Sequence, residues 1–286
     1  MSVKQRTLKS EFSLNGKGLH TGKQVTATFK PAEENFGYRI RRMDLEGSPE
    51  IPALAEYVKL MDRASCLEKD GVCVFTMEHA MAALYGSGID NCLIELSGEE
   101  FPILDGSAKY YVEEIEKVGF EEQKADRRYF TVKEQMEFCS EDGQTKITLL
   151  PDTDYNINLV VAYDSPYLQM QYATYSEKVT DFAKEIAPCR TFVFLRELEM
   201  LLQHNLIKGG DLDNAIVIVD REISQEEVNR LAKLFNHDSI EVKQGILNNL
   251  DLYFDNEPAR HKLLDVIGDL SLCGRFIKGR VIAERP

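Results

Sequence analysis

Residues 260–270 read Arg-His-Lys-Leu-Leu-Asp-Val-Ile-Gly-Asp-Leu, and residues 276–282 read Phe-Ile-Lys-Gly-Arg-Val-Ile. The first segment has helical spacing, with Leu264, Val266 and Ile267 placed for a core. The second has the branched and aromatic content of a strand. Ahead of them Asn256 is a candidate cap, Glu257 suits the positive end of a helix, and Pro258 fits the first turn. A similar pattern occurs earlier. His261 is followed seven residues later by Gly268 and then a strand, and His79 is followed seven residues later by Gly86 and then the strand-like Asn91-Cys92-Leu93-Ile94-Glu95-Leu96. Each half of the chain thus sets a histidine near the start of a helix that leads into a strand, as a duplicated α+β unit would.

The remaining sequence fits that scheme. Val25, Ala27 and Phe29 alternate with polar neighbours, Tyr38 and Ile40 follow a glycine turn, and residues 77–85 and 107–118 have helical composition. Between the first two strands lies Gly16-Lys17-Gly18-Leu19-His20-Thr21-Gly22, whose glycines permit backbone that other residues resist. Residues 121–128 contain one alanine and no larger apolar side chain, which makes them the candidate boundary between a domain of residues 1–124 and one of 125–286. Further on, a turn is expected at Asp142-Gly143, a helix start at Thr180-Asp181 and a capping box at Ser224 and Glu227. Residues 191–207, with Phe192, Leu198 and Met200 among many apolar side chains, run into Lys208-Gly209-Gly210. Composition favours a buried helix there over the lining of a groove for an acyl chain.

The chain has 286 residues, 43% of them hydrophobic, ample for one large domain or two smaller ones. A net charge of −14 argues against nucleic acid as a partner, although a phosphate-bearing small ligand needs only a few local cations. Nothing reads as a secretory signal or a membrane span, and the six cysteines lack Cys-x-x-Cys spacing. These features predict a soluble, acidic, cytoplasmic protein with reduced thiols, mostly in the core, so a metal would be held by histidine and carboxylate.

Two constellations suit such a metal. In His261-x-x-x-Asp265 residues four apart share a helix face, and both side chains are good zinc ligands. Asp269 continues the stripe. Glu78-His79 lies in an otherwise apolar segment. Together His79, His261 and Asp265 supply the three ligands of a catalytic site, and Glu78 supplies a carboxylate to take a proton from water. Spacing alone also describes a solvated polar stripe and an ordinary helix start, and for the stripe it favours that. The helix-borne His-Glu-x-x-His pattern, a Gly-x-Ser-x-Gly elbow, a phosphate loop and a dinucleotide fingerprint are all absent. His204 and His237 sit in polar surroundings expected at the surface, and His20 sits in the glycine loop.

Taken in order, Gly18-Leu19-His20-Thr21-Gly22-Lys23, Thr76-Met77-Glu78-His79, Gly88-Ile89-Asp90-Asn91, Pro102-Ile103-Leu104-Asp105-Gly106-Ser107, Arg190-Thr191-Phe192 and the 260–270 segment resemble one family closely, the UDP-3-O-acyl-N-acetylglucosamine deacetylases. The resemblance spans nearly the whole chain. It implies two α+β domains of similar topology, each a sheet layered with helices, with a zinc site between them. It implies Zn2+ on His79, His261 and Asp265, Glu78 as general base, Thr191 at the oxyanion, and Lys262 and Asp269 as charged site residues. Phe192, Leu198 and Gly210 fall among substrate-binding positions, with residues 193–219 as an insert forming a hydrophobic passage. The implied substrate is an acylated UDP-amino sugar on the way to lipid A. The family's further histidine, thought to be the general acid, lies in a Gly-His motif that none of the five histidines matches. The expectation is a segment of a longer polypeptide, with fusion to a dehydratase domain as in some family members. An alternative is a catalytically impaired fragment that binds zinc and nucleotide sugar.

Overall fold

In the first half, β1 (Lys4–Leu8), β2 (Phe12–Lys17), β3 (Gln24–Pro31), β4 (Tyr38–Arg42) and β5 (Glu50–Pro52) are followed by a small sheet of β6 (Val58–Met61), β7 (Ala64–Lys69) and β8 (Val72–Phe75). Then come α1 (Glu78–Gly86), β9 (Cys92–Leu96), α2 (Lys109–Val118) and β10 (Phe120–Asp126). The second half opens with β11 (Tyr129–Thr131), β12 (Met136–Cys139), β13 (Lys146–Leu150), β14 (Tyr155–Val161), β15 (Gln171–Ser176) and α3 (Phe182–Glu185). An insert of β16 (Phe192–Phe194), α4 (Leu195–Gln203), β17 (Ile216–Ile218), α5 (Gln225–Leu234), β18 (Val242–Lys243) and β19 (Ile246–Leu247) precedes α6 (Glu257–Ser271) and β20 (Phe276–Glu284). This computed structural model describes residues 2–61, 64–163, 168, 170–203, 208–235, 238–243, 245–247 and 251–286.

The two main sheets have one topology. The first runs β2-β3-β9-β4-β5 and the second β12-β13-β20-β14-β15. In each, the strand after the histidine-bearing helix enters the middle, antiparallel to one neighbour (β3 or β13) and parallel to the other (β4 or β14). Even the flanking pieces match: Thr7 of β1 bridges Asn91 just before β9, and β11 pairs in parallel with the start of β20. A strand buried in mid-sheet must be apolar on its inner face, and Cys92, Ile94 and Leu96 of β9 and Ile277, Val281 and Ala283 of β20 are all buried. The mixed α+β architecture with two like sheet-and-helix units is as expected from the sequence.

α1 and α6 pack on each other across the seam. α1 is buried from His79 to Tyr85, with Ala80, Ala82 and Ala83 keeping it slim. Gly268 lets α6 come still closer, because a Cβ there would lie 2.2 Å from the backbone carbonyl oxygen of Glu78. The principal core gathers residues from both sheets around these helices, and a smaller cluster formed by Leu195, Val217, Leu231 and their neighbours holds the insert together.

Local readings fared unevenly. The capping box is present in both directions at Ser224 and Glu227, Asp181 caps α3 through the Lys184 amide, and Gly143 turns β12 into β13 with φ +69°. Residues 121–128 are mostly strand β10, antiparallel to β1; its side chains are polar because it is an exposed ribbon, not for want of structure. Asn256 does not cap α6: its side chain donates to the Tyr172 carbonyl and accepts from Arg260. Phe192–Phe194 is a strand parallel to β17, so only the later part of the apolar stretch is helix. His204 and His237 lie outside the described residues. All six cysteines are free thiols, Cys66, Cys92 and Cys189 buried but Cys139 and Cys273 exposed. Among the described residues no helix is long and apolar enough to cross a membrane.

Gly268→Ala is expected to destabilise the fold by about 1–3 kcal/mol, since the obstructing atom is backbone and cannot rotate away. A urea titration with an unchanged slope and an unchanged midpoint would contradict the close-approach argument.

Candidate metal centre and its cavity

Three ligand atoms converge where the N-terminal turn of α1 meets the middle of α6. One each from His79, His261 and Asp265, they lie within 4.8 Å of one another. Asp265 Oδ1 stands 3.7 Å from His79 Nε2 and 3.5 Å from His261 Nε2, and the two imidazoles meet edge-on with centroids 5.0 Å apart. The His261 Nδ1 atom is 3.0 Å from the carbonyl oxygen of Cys189. A carbonyl only accepts, so Nδ1 carries the proton and Nε2 presents its lone pair to the cluster.

Electrostatics agree with a ligand set. Burial lowers both histidines, His261 to about 4, so the rings are neutral near pH 7. Burial alone would raise Asp265, but His261, Lys262 and His79 hold it below the usual carboxylate range. Its Oδ1 is nevertheless buried without a hydrogen-bond partner, while Oδ2 receives Lys262 Nζ at 3.2 Å. An orphaned carboxylate oxygen facing two imidazole lone pairs is costly by itself, and a cation resolves all three. The residues therefore fit a metal ion, and two nitrogens with one carboxylate oxygen leave a coordination position open.

Around the cluster, Glu78 is half-buried, and burial plus the Asp265 carboxylate push it up to about 7. Asp269 is pushed up to about 7 by the protein around it and by the Glu78 and Asp265 carboxylates, although its side chain reaches solvent. Lys262 is held above its usual range, chiefly by Asp265.

A cavity of about 510 Å3 adjoins the centre. Thr191, Phe192 and Lys262 line it together with Leu198, Leu201 and Gly210 of the insert. The Phe192 ring packs edge-on to His261 with centroids 6.4 Å apart. Of the residues singled out in the sequence, Thr191, Phe192, Leu198, Gly210 and Lys262 line this cavity, while His79, His261 and Asp265 form the cluster beside it and Glu78 and Asp269 flank that cluster on α1 and α6.

The sequence did not disclose how residues 189–191 are anchored. Glu257 opens α6 as an acidic residue in its first turn, as expected, and is also wholly buried. It accepts from the Arg190 amide at 3.0 Å, from Arg190 Nε at 2.9 Å and Nη2 at 3.1 Å, and from the Tyr253 amide at 2.7 Å. This clamp ties the start of α6 to the segment that supplies both the carbonyl for His261 and the Thr191 side chain. An arginine within an otherwise apolar run was the one signal available, and it does not name its partner.

Fold and site together define a duplicated α+β protein with a metal-competent His-His-Asp centre at the seam of its two units. A family model described as UDP-3-O-acyl N-acetylglycosamine deacetylase (LpxC) matches residues 5–237 and 236–286. The chain is 54% identical over 285 residues to a Bacteroides thetaiotaomicron protein named bifunctional enzyme LpxC/FabZ, covering 99% of this chain and 62% of that protein. It is 40% identical over 284 residues to the UDP-3-O-acyl-N-acetylglucosamine deacetylase of Myxococcus xanthus, with 99% and 82% covered. The corresponding protein of Marinobacter nauticus is 39% identical over 279 residues, with 97% and 84% covered. The chain belongs to the UDP-3-O-acyl N-acetylglycosamine deacetylase family, and spans 62% of the length of its bifunctional Bacteroides relative.

Glu257→Gln leaves the Arg190 guanidinium buried without its counter-charge, and a loss of about 3–5 kcal/mol is expected. Chemical denaturation measures it; a loss below ~1 kcal/mol would mean that the clamp is not a principal support of the site.

Proposed function

We propose that the chain is a zinc-dependent deacetylase that hydrolyses the acetamide of UDP-3-O-(3-hydroxyacyl)-N-acetylglucosamine, releasing acetate, in cytoplasmic lipid A biosynthesis. The observation that carries this reading is the convergence of His79, His261 and Asp265 beside a cavity walled by the apolar insert, joined to it by Phe192 against His261 and Lys262 against Asp265. Family membership and the deacetylase names of the relatives support the same substrate. The bifunctional names of other relatives support fusion to a dehydratase domain in the full-length protein. On this reading the domains are residues 1–124, which supply Glu78 and His79, and 125–286, which supply the rest.

Zinc bound there acidifies water and polarises a carbonyl oxygen. Glu78, a carboxyl poised near neutrality by its surroundings, takes the proton of the attacking water at its side-chain oxygen, and that proton balances the one the sugar nitrogen gains as the C–N bond breaks and acetate leaves. Thr191 donates its hydroxyl to the developing oxyanion, and Lys262 adds positive charge on the same side. Asp269, itself raised by the protein around it and by the Glu78 and Asp265 carboxylates, adds a further charged group beside the centre. Phe192, Leu198 and Gly210 bind the substrate, the apolar wall taking the acyl chain and excluding water from it.

Elemental analysis of the purified protein is expected to give about one zinc per chain, lost in His261→Ala. A metal-free protein that also fails to take up added zinc would overturn the ligand assignment. Glu78→Gln should keep the zinc and lower kcat by about 10²–10⁴-fold. Turnover within a factor of ~3 of the parent would remove Glu78 as the base.

A further inference from the structure

We propose that Glu100 is a positioning residue for acyl-chain binding: it clasps the glycine loop of residues 18–22 and thereby sets the wall of the cavity opposite the insert. The inference rests on reading that cavity as the acyl passage. Glu100 is 2% exposed and makes no ion pair among the described residues. Its carboxylate instead accepts four neutral donors: the His20 amide at 2.9 Å, the Thr21 amide at 2.9 Å, the Thr21 hydroxyl at 2.7 Å and the Thr76 hydroxyl at 3.0 Å. Burying a charge without a counter-charge is expensive, and a carboxylate is required because only an acceptor-only group with about four lone-pair sites satisfies four converging donors.

What the carboxylate holds explains its use. Gly18 has no room for a side chain, since a Cβ would lie 2.2 Å from Glu100 Oε2. From this clasp the loop reaches across to the insert. The Gly209 amide donates to the Leu19 carbonyl at 3.0 Å, and a Cβ on Gly209 would lie 2.1 Å from the Gly18 carbonyl oxygen. Leu19 and His20 line the cavity together with Leu198, Gly210 and Lys262. Loop and insert therefore form the two sides of one passage, and Glu100 fixes the first side. The same carboxylate holds Thr76 at φ +55°, a left-handed conformation unfavourable for a β-branched residue, two positions before Glu78 begins α1.

The test is Glu100→Gln in the zinc-loaded protein, with Thr21→Val as a milder second variant that removes one donor and keeps the carboxylate. Glutamine has the same shape but turns an NH2 group toward donors. Hydrogen exchange at the His20 and Thr21 amides should quicken by at least ~10-fold while α1 and α6 stay protected. KM for the acylated substrate and the Kd for cis-parinaric acid, a fluorescent fatty acid, should each rise about 10-fold, with kcat within about 2-fold and zinc content unchanged. Thr21→Val should move the same quantities less. Unchanged exchange would overturn the clasp. Faster exchange with unchanged KM and Kd, or equal losses in kcat and KM with a lowered melting temperature, would overturn the positioning role. Failure of the proposed function shows in the parent instead, which would then bind no parinarate and turn over no acylated substrate.

Discussion

Everything at the seam depends on how closely α1 and α6 approach. Their contact is set by backbone, with Gly268 of one helix lying over the Glu78 carbonyl of the other. That approach brings His79 to His261 and both to Asp265, since His261 and Asp265 are one helical turn apart on a single face. Neither helix could hold this position alone. Each is locked to its own sheet through the strand that follows it, and the two sheets carry the same order and directions. Duplication thus gives the molecule two equivalent helices, and their packing against one another creates a site that neither unit contains.

The electrostatic arrangement is one that an ordinary core would avoid. Two neutral imidazoles, an unpartnered carboxylate oxygen and two further carboxyls raised toward neutrality are concentrated around a single lysine. Stability alone does not favour such a cluster, because each group loses solvation and gains few partners. Its neighbours are arranged to preserve it. The Cys189 carbonyl orients His261, and the Arg190–Glu257 clamp immobilises the segment that provides this carbonyl. Buried polar groups well supplied with partners, Glu257 and Glu100, hold the segments on either side of the cluster, where the Asp265 Oδ1 atom has none.

Much of the architecture was legible because it depends on local pattern. The repeated histidine–glycine–strand order predicted two like units, and the alternation of Val25, Ala27 and Phe29 and the apolar content of residues 91–96 predicted strands, which are β3 and β9. Local pattern misled where tertiary contacts reassigned a side chain. Asn256 has good credentials for a cap, yet its side chain went to the Tyr172 carbonyl, and Glu257, in the first turn as expected, also took a buried arginine that the pattern did not name. β10 looked like a linker because an exposed ribbon needs no apolar face, and Phe192–Phe194 looked helical because an apolar run has no decisive period.

By itself the sequence determined the residue types of the candidate site, their His-x-x-x-Asp spacing, the duplicated helix–strand order and an acidic chain poor in signals for nucleic acid. Those properties follow from neighbours a few positions apart, where helical and strand periodicity reach. Only the tertiary structure decided that His79 meets a carboxylate 186 positions away, that one Asp265 oxygen is left without a partner, and that loop 18–22 closes against Gly209. These depend on the packing of two whole units, and the energy that selects it is the summed burial of a core drawn from both, which no single segment encodes.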